Sequence, residues 1–416
     1  MNRAITSILL TGVMGLLLVS CGGGGNNNTT TKTSGIKTRA FVSNSANGYI
    51  EIIDYAKQIQ TGFGISAGSG AGMMVLTPDK ASTLIVDSAG GQNAISIIDN
   101  KTEKALATVM IPAPTNSVVV SPDSKTAWVA TRNAPATDSG GNVLQTGAVQ
   151  VVDLTKQTLG TQIPVALAQT LALSPDGKKL LVFRDQTDTA SFIDLSVTTP
   201  AAVNVTGSAM SRPAGAVFSS DGTKAYVVNC GPECGGTGSA GVSVLDMTTT
   251  PPTAGAVFPL DAADIIFADT SNNLYVAGTK PGSASGSLTV LTASGGTLSI
   301  SKAPITIGGG FHTQIISASN NKLFIGAVTC SDTAGLANAG CLTIYDTGTS
   351  TATITKGGQG VVTGMAAVPV KNMVYVVTGG ELLTYDTTTS DIFAGPCQSS
   401  CFIDIVGKAE DVKVIE

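Results

Sequence analysis

The chain has 416 residues, with 23 Lys and Arg against 28 Asp and Glu, one His and a formal net charge of −5. A mildly acidic chain with no basic stripe lacks the electrostatic footprint of a nucleic-acid binder, so no nucleic-acid partner is expected. With a single His and no Cys-x-x-Cys-His it also lacks the usual means of holding haem, and the expected cofactor and metal content is none.

Residues 1–20 stand apart from the rest. Arg3 gives a short positive start, Ile8 to Val19 is apolar, and the run is too short to span a bilayer. It ends in Leu18-Val19-Ser20-Cys21, which resembles the lipobox of a bacterial lipoprotein signal peptide. That resemblance implies cleavage before Cys21 and lipid attachment to Cys21. It also implies a bacterial cell-envelope location with the lipid in the outer membrane, facing either the periplasm or the surface. Residues 21–38 are rich in Gly, Asn and Thr and have no apolar periodicity. They read as a flexible tether.

From residue 39 to 416 one unit recurs. Its clearest copy runs from Leu171 to Phe183 and on through Ala190 to Asp194. It reads as a strand, a Ser174-Pro175-Asp176-Gly177 turn, a strand, a loop and a third strand ending in Asp. Pro presets φ at the second turn position and Gly tolerates positive φ. The third strands end at Asp54, Asp99, Asp153, Asp194, Asp246, Thr292, Asp346 and Asp386, about 47 residues apart, which is the period of a four-stranded propeller blade. Each terminal Asp is expected to cap the following turn by accepting from nearby backbone N–H groups. The second strands align on Phe41, Ile85, Trp128, Leu181, Tyr226, Tyr275, Phe324 and Tyr375.

Tyr226-Val227-Val228-Asn229 resembles the signature of YVTN-type β-propeller repeats, and the likeness covers residues 39–416. It implies an all-β fold, a single β-propeller domain, and leaves function open. A polar tail and no apolar run immediately precedes Arg39, whereas Asp411 to Glu416 is a spare strand at the far end. The count is therefore eight four-stranded blades, the C-terminal strand completing the first, with seven blades as the alternative. Closure of this kind removes exposed sheet edges.

With Cys21 lipidated, the remaining cysteines fall into local pairs: Cys230 with Cys234, Cys330 with Cys341, and Cys397 with Cys401. An even set of loop cysteines in an exported protein reads as disulfides, each closing a short loop and contributing about 2–3 kcal/mol. Their spacing suits neither a metal centre nor a thiol redox pair.

The stretches Asn133 to Gly147, Cys230 to Gly241, Thr279 to Ser287 and Thr329 to Gly340 read as long loops on one face. The opposite turns, such as Thr77-Pro78-Asp79 and Ser121-Pro122-Asp123, are nearly uniform. Variable loops on a rigid scaffold are where binding tends to sit. One residue per blade precedes each inner strand at the channel mouth. The ligand-binding candidates are Asn116, Gln169, Arg212, Asp264, His312 and Gln359, with Asp411 in the equivalent place. Arg212 either pairs with a neighbouring carboxylate or holds a carboxylate or phosphate ligand in its guanidinium fork. His312 reads as solvated. No catalytic residue is assigned, because a Ser-His-Asp set would have to use His312 and no Gly-x-Ser-x-Gly elbow occurs. The favoured reading is a non-catalytic binding or scaffold module for an envelope protein or polysaccharide. The alternative is a propeller enzyme of the lactonase or lyase type, acting on a small anionic substrate, with Asp261, Asp264, Glu410 and Asp411 as carboxylates for bound calcium.

Overall fold

The computed structural model describes residues 33–88, 93–137, 143–184, 186–331, 341–355, 360–392 and 402–415. Cys21, Gln359, Cys397 and Cys401 lie outside them. The described chain is strands and connections, with two short 3-10 turns at Gly231–Cys234 and Pro369–Lys371.

The strands form successive antiparallel meanders. Arg39–Asn44, Tyr49–Asp54 and Ile59–Ser66 lie side by side. Ala71–Leu76, Ser82–Asp87, Ala94–Asp99 and Lys104–Met110 repeat the arrangement with one more strand. The pattern continues to Glu381–Asp386. The last strand, Ala409–Ile415, returns to pair antiparallel with Arg39–Asn44, placing Val412 opposite Val42. Two departures from a plain four-stranded repeat occur. Thr206–Gly207 adds in parallel to Thr253–Pro259 as a fifth strand. Thr297–Ala318 runs unbroken from one meander into the next, pairing first with Ser285–Ser294 and then with Lys322–Ser331.

Burial follows strand position. The second strands are buried almost throughout, as in Lys224–Asn229, while outer strands such as Ile59–Ser66 and Thr158–Pro164 are largely exposed. A strand covered on both faces reads as a continuous apolar run and not as an alternation. The covering is sheet on sheet. Tyr226 and Val242 pack with Leu274 and Val276 of the next meander, and Phe324 and Ile344 with Val374 and Val376. Tyr375 and Leu382 then pack with Ala40, Val42 and Val412.

The turns explain the repeated polar residues. In four successive units a hydroxyl donates to the Asp two residues on, at 2.6 Å: Thr77 to Asp79, Ser121 to Asp123, Ser174 to Asp176 and Ser219 to Asp221. The same hydroxyl accepts the backbone N–H that opens the next strand, as Ser174 Oγ does from Lys179 at 2.9 Å. The Asp residues ending third strands cap as expected. Asp54 accepts from Ala56, Asp246 from Thr248 and Asp386 from Thr388. Such bonds hold two of these carboxylates below their ordinary range, Asp221 at about 2 through Ser219 and Asp246 at about 2 through Thr248.

Three of the expected long loops are more ordered than the sequence indicates. Most of Asn133 to Gly147 is hairpin: Thr126–Thr137 pairs with Val143–Asp153, and Pro135 faces Thr146. Cys230 to Gly241 contains the Gly231–Cys234 turn. Thr279 pairs with Gly286 across what reads as a loop. Of Thr329 to Gly340, the described part continues strand Lys322–Ser331.

Candidate functional site: a polar cavity and a buried carboxyl–imidazole group

A cavity of about 410 Å³ opens where inner strands of successive sheets converge. Asn116, Gln169, Arg212, Asp264 and His312 all line it, so the structure brings together every described residue of the candidate ligand set. Arg184 and Gln186 line it too, and neither is singled out by the sequence. Arg184 directly follows the buried run Leu180 to Phe183, so an alignment extended by one residue reaches it.

Both guanidiniums are partly committed. Arg212 lies 3.8 Å from the exposed Asp188 carboxylate and donates to the Gly235 carbonyl at 3.2 Å. The ion-pair alternative for Arg212 is thus present in the structure. Its φ of 50° is in the left-handed region, and Asp188 accepts the Arg212 backbone N–H at 2.9 Å. Arg184 donates to the Thr189 hydroxyl and, at 3.4 Å, to Asn204. Burial alone pushes the Arg184 guanidinium below its ordinary value, and an anion placed in the cavity would offset that cost.

His312 is not solvated; it is 2% exposed. The chain after the glycine run Gly308-Gly309-Gly310 carries it inward, and its backbone N–H donates to Asp264 Oδ2 at 3.0 Å. The same kind of latch joins other inner strands. Met74 N–H donates to Asp411 Oδ2 at 2.8 Å, and Leu171 N–H to Ser117 Oγ at 3.0 Å. Asp264 is distinguished by its further neighbours. His312 Nδ1 lies 3.2 Å from Asp264 Oδ2, and His312 Nε2 lies 3.0 Å from the Gly308 carbonyl oxygen. Glu233 is hydrogen-bonded to Asp264 and accepts the Thr279 N–H at 3.1 Å.

Glu233 is the member of this group that the sequence does not disclose. It sits in the Gly231–Cys234 turn, which the Cys230–Cys234 disulfide ties down. Cys330 and Cys341 form a second disulfide. Burial first, and then the neighbouring Asp264, push the Glu233 carboxyl up to about 8. Burial pushes Asp264 up to about 6 and His312 down to about 4. Asp264 and His312 face the 410 Å³ cavity, whereas Glu233 lines a second cavity of about 380 Å³ together with Asp261 and Lys280.

The carboxylates suggested for calcium do not assemble. Asp411 bonds Lys413 Nζ at 2.8 Å and the Met74 backbone, and Glu410 bonds Lys408 Nζ at 2.6 Å. Among the described residues, the cluster with metal-ligand spacing is Cys230, Glu233 and Asp264, and the disulfide removes Cys230 as a thiolate.

Neither a protein-family model nor a curated protein matches the chain. Solved structures do. The dihydro-heme d1 dehydrogenase NirN is similar at 14% identity over 91% of this chain and 75% of that one, with a TM-score of 0.63. The periplasmic gluconolactonase PpgL of Pseudomonas aeruginosa is similar at 14% identity over 91% of this chain and 99% of that one, with a TM-score of 0.52. The β-propeller domain of Cps50 (Swd1) from Myceliophteria thermophila is similar at 9% identity over 74% and 93%, with a TM-score of 0.54. At such identities the likeness speaks to fold alone. The chain is all-β and has the β-propeller fold.

Proposed function

We propose that this propeller binds a small anionic molecule in its 410 Å³ cavity. The observation that carries the reading is the convergence there of Arg184 and Arg212 with the amides of Asn116, Gln169 and Gln186. Two guanidiniums supply charge and forked donors, and the amides supply orientation. We also infer eight four-stranded blades, with Ala409–Ile415 as the inner strand of the first. The pairing with Arg39–Asn44 and the packing of Tyr375 and Leu382 on Val42 and Val412 support that count.

A thermal-shift panel tests the ligand class: gluconate and 6-phosphogluconate against glucose. At least one anion should raise the melting temperature while glucose does not. No shift with either anion would count against the reading. A second reading, hydrolysis of a sugar lactone, is favoured by two things. One is the likeness to the gluconolactonase over 99% of its length. The other is the placement of Asp264 and His312 on the cavity wall. Turnover of glucono-lactone above the spontaneous rate, lost in Asp264→Asn, would establish it.

The cellular address belongs to the same proposal. Leu18-Val19-Ser20-Cys21 supports a lipid anchor in the bacterial envelope, with the tether holding the propeller off the membrane. Cys21→Ser should move the protein from the membrane to the soluble fraction or leave it as precursor. Mature variant protein still sedimenting with membranes would refute the anchor. An envelope protein or polysaccharide partner for the loop face stays part of the proposal, to be sought by crosslinking on intact cells.

A further inference from the structure

The charges at the larger cavity nearly cancel. Arg184 and Arg212 line it, and Nε of each is buried without a hydrogen bond. Asp264 lines it too, and its Oδ2 accepts the His312 backbone N–H at 3.0 Å. Glu233, pushed up to about 8, donates to Asp264, at about 6, so near neutral pH Glu233 holds the proton and Asp264 the charge. His312, held down to about 4, is neutral there. The second carboxylate is Asp188, exposed in the connection between strands Lys179–Arg184 and Ala190–Asp194. Its Oδ1 lies 3.8 Å from Arg212 Nε and accepts the Arg212 backbone N–H at 2.9 Å.

This contact is tied to the backbone. Arg212 has a φ of 50°, a conformation that a residue with a Cβ keeps only where its surroundings fix it. Ser211 N–H donates to Asn229 Oδ1 at 3.0 Å, and Cys230 N–H to the Arg212 carbonyl at 3.0 Å. Asn229 and Cys230 follow from the neighbouring strand of the same sheet, whereas Asp188 reaches over from the preceding sheet and is charged. An incoming anion therefore shares Arg212 with Asp188 and does not expel it.

We propose that the cavity selects monoanions and that Asp188 sets this limit. This selectivity presupposes the anion site proposed above and narrows its ligand to a monocarboxylate, as against the phosphate ester of the same acid. A monocarboxylate takes the site one unit past neutrality. The ester brings about 1.5–2 further negative charges, with no cation left to offset them. Coulomb repulsion grows in proportion to ligand charge, so Asp188 penalises the ester more. Asn at this position would keep a carbonyl oxygen for the Arg212 N–H and lose only the charge.

The test is calorimetric titration of gluconate and of 6-phosphogluconate into wild type and Asp188→Asn, near pH 7 and at low salt. Wild type should bind gluconate more tightly. Asp188→Asn should tighten gluconate by about threefold and 6-phosphogluconate by about tenfold, the repulsion removed being larger for the more highly charged ligand. High salt should shrink the difference. Asp153→Asn removes the same charge at a turn of the opposite face and should leave both affinities unchanged. Melting curves recorded alongside show that the variants are folded. Tighter binding of 6-phosphogluconate by wild type overturns the proposal. So does a ratio of the two affinities that stays constant, or moves toward gluconate, in Asp188→Asn. Binding of neither probe by wild type or variant is a different result, which removes the anion site itself and the selectivity with it.

Discussion

Removing Glu410 to Glu416 should abolish the cooperative thermal transition of the whole domain, not fray one end of it. The segment contributes Val412 and Ile415, both buried, and the partly buried Val414. At about 1.5–3 kcal/mol for each buried aliphatic side chain, their loss alone approaches the 5–15 kcal/mol that holds a typical domain together. Polar losses add to this. Asp411 Oδ2 accepts the Met74 N–H, and without it a buried donor on the next inner strand is left unpaired. The strand Arg39–Asn44 also loses one of its two partners and becomes an open edge. Differential scanning calorimetry of the truncated chain checks this. An unchanged melting temperature would contradict closure through the C-terminal strand and, with it, the eight-blade count.

The second large effect is acid sensitivity. Asp221 and Asp246 are held at about 2, and Asp79, Asp123, Asp153, Asp176, Asp194 and Asp346 are also lowered, mainly by hydroxyl, lysine and backbone N–H donors in the turns. A carboxyl whose folded value lies below its unfolded one binds fewer protons in the native state. Its stabilisation is therefore complete above the ordinary value and is lost as pH falls through the folded value. With many such turns acting in the same direction, the urea midpoint should drop steeply between about pH 4 and about pH 2. Ser219→Ala removes the leading cause at Asp221 and should make the drop shallower. A midpoint that stays level across this interval would mean that the turn carboxylates contribute no net stability.

How much of this was legible in the sequence depends on the range over which each feature is encoded. Ser174-Pro175-Asp176-Gly177 and the Asp ending each third strand are local devices, and the bonds they make span two to five residues. They can be read directly. Asp264 and His312 were reachable because repeat alignment places each before or on an inner strand, but alignment says nothing of burial. The solvated reading of His312 failed because the residues enclosing it, Glu233 and Asp264, come from other segments. Glu233 depends on a disulfide to aim it, and Arg184 lies at the exit of a second strand, outside the set of positions preceding inner strands. The Asn133 to Gly147 hairpin was hidden by Pro135, a residue that usually argues against a strand.

In the proposed function, Arg184 and Arg212 make the cavity an anion site. Calorimetric titration of 6-phosphogluconate and of gluconate tests it most directly, with wild type and an Arg184→Gln, Arg212→Gln double variant compared at low and high salt. Hydrogen bonds to charged groups contribute about 1.5–3 kcal/mol each, so the double variant should bind more than about tenfold more weakly. High salt should weaken wild-type binding as well. One-site binding of either probe that falls in the double variant is the predicted result. Equal affinity in the two proteins, or no saturable binding of either probe, would contradict it.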